Sequence, residues 1–304
     1  MTMTTVSGRA ARPSLPAPAP RTGRLLRRLK LGRRLLITVT MTLFTVFTLF
    51  PFVWMALTSL RTGSDLYRVA DRPFSVSGLT LEHFRELLTE TKFLTWTLNS
   101  LIVALSASAI ALVIGVPAAY SLGRLRYRGG AVVGVIVFST YLLPPALLFI
   151  PMNVVVNRLH LGNTLGALIL VYLTFLVPFI AWMLSSYFQS LPVELAEAAR
   201  IDGASRLRAM MVIDLPLVLP GVVSVFFFAF TLCWQEYLYA LTFVRSTDKQ
   251  PVAVGLVNAL QVGDVFAWGQ LMGGALLGAL PVVIIFSFLM DYYLSGLTAG
   301  AVKG

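Results

Sequence analysis

Residues Leu191 to Pro220 read LPVELAEAARIDGASRLRAMMVIDLPLVLP. This helix-forming stretch lies between two apolar runs, each long enough to cross a membrane, so it is the loop that joins two spans. Glu194 through Ile201 has strong helix-forming composition, and Gly203 offers a turn. Ser205 through Val212 is expected to form a second short helix that Pro216 stops. The segment therefore reads as a helix-turn-helix elbow. Leu195, Ala198, Ala199 and Asp202 fall at helical spacing, giving the first helix a small-residue face flanked by Glu194, Glu197 and Arg200. Small faces fit into clefts.

The flanks supply the context. The chain has 304 residues, 57% of them hydrophobic and only 12% charged, about half the charged share of an ordinary soluble domain. That excludes a water-soluble globule. Apolar runs at about 35–60, 97–122, 131–151, 165–188, 217–242 and 270–293 each exceed the roughly 20 residues needed to cross a hydrocarbon core. The expected fold class is all-α: a polytopic membrane protein with six transmembrane helices. The first run follows a basic flank, but at 26 residues it is far longer than the roughly 7–15 of a signal-peptide core, and no A-x-A site follows.

Charge orients the spans. Residues 1–34 carry nine basic groups and no acid, out of a net charge of +11. With the N-terminus inside, the cytoplasmic pieces hold sixteen of the 24 Lys and Arg residues and the outer pieces eight, so both termini are expected in the cytoplasm. The tail, residues 1–30, is read as disordered, with Pro and Ala enriched from Pro13 to Pro20. It lacks aromatic interleaving and runs into a span, so lipid headgroups rather than nucleic acid are its counter-surface. Residues 31–304 form one transmembrane domain, with the elbow as a cytoplasmic loop over 190–216. The outer loop 61–96 reads either as a plain connection or as a docking surface, helical from Leu81.

Absent motifs narrow the chemistry. The lone Cys233 and the distant His83 and His160 offer no metal centre, and neither H-E-x-x-H nor G-x-S-x-G occurs. None of the four lysines follows a glycine, so there is no P-loop. The chain is not an enzyme, and it binds no cofactor itself. A transporter of this build borrows its energy. Prolines at 144, 145, 151 and 178 bend spans three and four. Gly269, Gly273, Gly274 and Gly278 let the last span approach other helices closely.

At Glu197, Ala198, Ala199, Gly203, Ile213, Leu215 and Pro216 the chain carries E-A-A, three residues, G, nine residues, I-x-L-P. This resembles the permease subunits of ATP-binding-cassette importers, whose motif also sits in the cytoplasmic loop before the penultimate span. The tail GLTAGAVKG from Gly296 to Gly304 and the segment WQEYLYAL resemble the carbohydrate-uptake branch, similar to the second membrane subunit of the maltose transporter. Gln235 stands where that branch usually has Asn. The resemblance covers roughly residues 35–304.

The resemblance implies a type I ABC importer permease fold in the cell membrane of a prokaryote. It also implies a division of labour. Glu197, Ala198, Ala199, Asp202 and Gly203, with Ile213, Leu215 and Pro216, would couple to a cytoplasmic ATPase, and the C-terminal Gly300 and Lys303 would add a second contact. ATP and Mg would be used by two copies of that partner, beside a second permease subunit and an extracytoplasmic solute-binding protein that delivers a carbohydrate. For the sugar path, Thr231, Gln235 and Tyr239 are read at i, i+4 and i+8 on one face of span five, flanked by Glu236. The other reading of that stripe is inter-helix hydrogen bonding. The alternative function is a self-sufficient secondary sugar carrier with the loop as an internal gate.

Overall fold

In a computed structural model of the chain the described residues are 22–66, 78–125, 127–262 and 265–301. Residues 1–21 of the basic tail and Lys303 lie outside them. The chain divides into two units, 1–53 and 54–304. In the first, helix α1 (Thr22–Leu60) starts ahead of the expected end of the tail at residue 30. Leu25, Leu26, Arg27, Arg28, Leu29 and Lys30 are all good helix formers, so they extend the helix backwards. Every side chain from Gly32 to Val53 is exposed, as suits an apolar helix whose solvent is lipid.

The second unit contains α2 (Gly63–Leu66), α3 (Glu82–Glu90), α4 (Phe93–Arg124), α5 (Gly130–Leu142), α6 (Pro145–Arg158) and α7 (Leu165–Ser190). Then come α8 (Val193–Ile201), α9 (Arg206–Ala209), a π-helical turn (Met210–Asp214) and α10 (Leu215–Trp234). The chain continues through α11 (Leu238–Phe243), α12 (Val252–Leu260), a short hairpin of β1 (Gln261–Val262) and β2 (Val265–Phe266), and α13 (Trp268–Ala301). The strands pair antiparallel, Gln261 with Phe266. Among the described residues five helical stretches are long and apolar enough to cross a membrane, or six if the bent pair α5 and α6 counts as one.

The centre of the unit is the packing of α4 on α7. Ser100, Ala104, Ser108, Ala111, Gly115 and Ala119 of α4 recur every three or four residues and are all buried. This is a small-residue stripe that lets two backbones close up. A Cβ on Gly115 would lie 2.5 Å from Ile180 Cγ2, and one on Gly123 would lie 2.7 Å from Ser185 O. The glycines of the last span serve the same end. Gly269 faces the His83 ring and Gly273 the Phe84 ring of α3, while Gly274 faces Leu256 of α12.

The run at 131–151 bends at its prolines as expected, and sharply: α5 and α6 meet at an angle of 93°. Pro144 and Pro145 contribute no backbone N–H, so the ladder has nothing to continue with. Pro216, by contrast, does not stop a helix. It sits in the first turn of α10, directly after the π-helical turn, in which Leu215 N–H reaches back to Met210 O. The wider π-helical turn absorbs the missing N–H, so Arg206 to Trp234 runs as one span. Helix α13 runs past the expected end of the last span at 293, through Gly296 and Gly300 to Ala301.

Candidate functional site

Local capping chemistry builds the elbow. Helix α8 ends with Gly203 at φ +88°, in the left-handed region. Gly203 N–H donates to Arg200 O at 3.1 Å and Ala204 N–H to Ala199 O at 3.0 Å. That pair of bonds is a Schellman ending, which needs a residue without a Cβ penalty at the left-handed position. Two residues on, the Ser205 hydroxyl caps α9 by accepting from Arg208 N–H at 3.3 Å. One helix is closed and the next opened within four residues, which fixes the turn with local hydrogen bonds alone.

The motif residues divide into two groups. Glu197, Ala198, Asp202 and Gly203 are exposed, Ala199 is half-buried, and α8 has no buried residue. Ile201 is 87% exposed, and Leu207, Met211 and Val212 are also uncovered. Apolar side chains displayed among charges mark a surface shaped for a partner. Ile213 and Leu215 are half-buried and Asp214 is fully buried, so this end of the motif faces the bundle, although Pro216 is exposed. Beside α8 lies an open cavity of about 630 Å³, lined by Tyr120, Tyr127, Glu197, Arg200 and Arg206 among others.

Sequence reasoning missed what holds the elbow to the bundle. Arg124, the last residue of α4, donates to Leu191 O at 2.9 Å, to Pro192 O at 2.9 Å and to Asp214 Oδ1 at 2.8 Å. In the sequence it counted only as a loop charge. Asp214 is the unspecified position of I-x-L-P, and the carboxylate there was the available signal.

Span five differs from its expected form at the site. Helix α10 ends at Trp234 and α11 starts at Leu238, so Thr231, Gln235 and Tyr239 do not share one continuous helical face. Glu236 makes the break. Its carboxylate accepts from Tyr239 N–H at 2.8 Å and Ala240 N–H at 3.1 Å, and also from the Tyr172 hydroxyl at 2.9 Å. A carboxylate just ahead of a helix takes up the first orphan N–H groups and complements the helix dipole. Tyr239 is buried, and its hydroxyl donates to Pro145 O at 2.7 Å, at the start of α6. The Thr231 hydroxyl bonds back to Phe227 O. Of the four residues read as a sugar path, Gln235 is the exposed one. Glu236 and Tyr239 tie helices together. Gly300 lies on α13.

A long α4–α7 pair and a span that continues from a capped, exposed elbow define an all-helical, polytopic membrane protein. Residues 111–298 match the family described as binding-protein-dependent transport system inner membrane component, and the chain belongs to it. It is similar to the inner membrane ABC transporter permease protein YcjP of Escherichia coli (strain K12), 35% identical over 86% of this chain and 94% of that one. It is also similar to the trehalose/maltose transport system permease protein MalG of Thermococcus litoralis, 31% identical over 90% and 98%. In fold it resembles a bacterial ABC transporter involved in import of the acidic polysaccharide alginate, with a TM-score of 0.70 at 20% identity, covering 91% of this chain and all of that one. Of the two classes read from the sequence, the chain is therefore an importer permease subunit, a multi-pass protein of the inner membrane and not itself an enzyme.

Proposed function

We propose that this permease passes a carbohydrate, delivered by an extracytoplasmic binding protein, and that α8 seats in a cytoplasmic ATPase subunit that drives the passage. The observation that carries the reading is the elbow. It has a Schellman-closed helix end and a small-residue face with no buried residue, and it continues without a break into span five. The companions are a second permease subunit and two ATPase copies, which use ATP and Mg. Both termini lie in the cytoplasm, with the end of α13 near the ATPase. Relatives named for trehalose/maltose, diacetylchitobiose and maltodextrin support a saccharide cargo. Gln235, exposed at the break in span five, is the amide placed to meet a polyol.

The test is co-purification. The ATPase is expected to travel with the wild-type chain and to be lost with Glu197→Lys, which reverses the charge on the displayed face. Retention of the ATPase by Glu197→Lys would remove α8 as the contact.

A further inference from the structure

The segment 193–213 leaves the bundle at the foot of α7 and returns through the π-helical turn that opens span five. Its two ends are therefore Leu191–Pro192 and Asp214, and one guanidinium from a third helix holds both. Arg124 donates to the two carbonyls on the outgoing side and to the carboxylate on the returning side, all at 2.8–2.9 Å. We propose that Arg124 and Asp214 are a positioning pair, a joint through which movement of the elbow reaches α4 as well as α7 and α10. This rests on the reading of α8 as the ATPase contact, and it adds a third span to the moving body.

Three features support the joint. A guanidinium is a planar fork with five donors and can serve three acceptors on two chain segments at once, whereas an ammonium is a point charge on a flexible stem. The side chains are 6% and 0% exposed, so the pair is not the solvent-screened kind that contributes little. Opening it would strand a buried charge, which keeps it closed as the surroundings move. The neighbouring Gly123 already brings α4 against the α7 backbone at Ser185, and Arg124 extends that contact to span five.

Asp214 also sits at an irregularity of the helix. It ends the π-helical turn, an irregularity that is frequent at functional positions. Its Oδ2 is buried with no hydrogen-bond partner among the described residues, so Arg124 alone orients the carboxylate. Among the described residues no other side-chain hydrogen bond ties the foot of span five to α4.

The experiment uses the full transporter, with its ATPase, partner permease and binding protein, in lipid nanodiscs and proteoliposomes. Arg124→Ala is expected to keep the ATPase bound and hydrolysing, while uptake per ATP falls about tenfold, the scale of one charge-assisted bond. Arg124→Lys keeps the charge opposite Asp214, and hence the fold, but cannot fork. It is expected to uncouple too, and it decides the matter if Arg124→Ala does not fold. Spin labels at Val113 of α4 and Leu219 of α10, 75% and 48% exposed, give a second readout. Their spacing is expected to be the same in nucleotide-free and vanadate-trapped wild type and to differ between those states in either Arg124 variant. Wild-type stoichiometry, or an unchanged spacing in both variants, overturns the joint. If Glu197→Lys loses the ATPase while the Arg124 variants couple normally, only the joint fails. If Glu197→Lys retains the ATPase, the reading of α8 fails first.

Discussion

Gly203 offers the sharpest perturbation, because its surroundings isolate one cause. At φ +88° it occupies backbone space that an L-residue enters at a cost of about 1–2 kcal/mol. A Cβ built there meets nothing within 4 Å, so Gly203→Ala adds strain without a clash. The penalty falls on the Schellman ending, and 1–2 kcal/mol is a factor of roughly 5–30 in the population of the closed turn. Where the closed turn is the binding-competent form, the apparent Kd for the ATPase rises by up to that factor. The order expected is Gly, then Asn, which enters this region more readily, then Ala, then the β-branched Val. Titrating labelled ATPase onto the permease in nanodiscs measures the series, and thermal unfolding of the permease alone is expected to stay constant because the turn is peripheral. Gly203→Trp adds bulk to the same strain, so any loss beyond that of Ala measures the closeness of the partner. Wild-type affinity for Ala and Val, or Asn binding as poorly as Val, would refute the reasoning.

Two further outcomes follow from the packing. Glu236→Ala removes the acceptor of two helix N–H groups and of the Tyr172 hydroxyl. It is expected to destabilise the permease by at least about 2 kcal/mol, with Glu236→Gln in between, as read by thermal unfolding in detergent. Gly115→Ala places a Cβ 2.5 Å from Ile180 Cγ2 and is expected to cost about 1–3 kcal/mol through overpacking. Ile180→Ala removes that methyl at a cavity cost of its own, so the two substitutions together are expected to cost less than the sum of their separate effects, and strict additivity would place the damage elsewhere.

Much of this architecture was legible because lipid imposes simple rules. Apolar length marked where helices run, and a glycine six residues after Glu197 marked the elbow, since few residues but glycine close a helix by a left-handed turn. What escaped was long-range pairing. Nothing near Arg124 points to Asp214, 90 residues on, and a loop arginine beside a membrane reads as topology. The break after Trp234 escaped for a different reason. Periodicity carried the helix through Gln235, whereas Glu236 spends its carboxylate on backbone N–H groups and so ends one helix and starts another. Pro216 misled because a π-helical turn just ahead of it absorbs the missing donor, and no residue type announces such a turn. The small stripe of α4 was visible at its spacing, but alanines and serines in an apolar run attract less notice than glycines.

The right-angled bend between α5 and α6 bears on how such a chain survives in a cell. Two successive prolines leave the carbonyls ahead of them without their usual donors, and hydrocarbon supplies none. None of the α5 side chains is buried. An orphan copy, made without companions to shield that corner, is a poor solute for a bilayer and a ready target for quality-control proteases, so its abundance is expected to follow that of the subunits it assembles with.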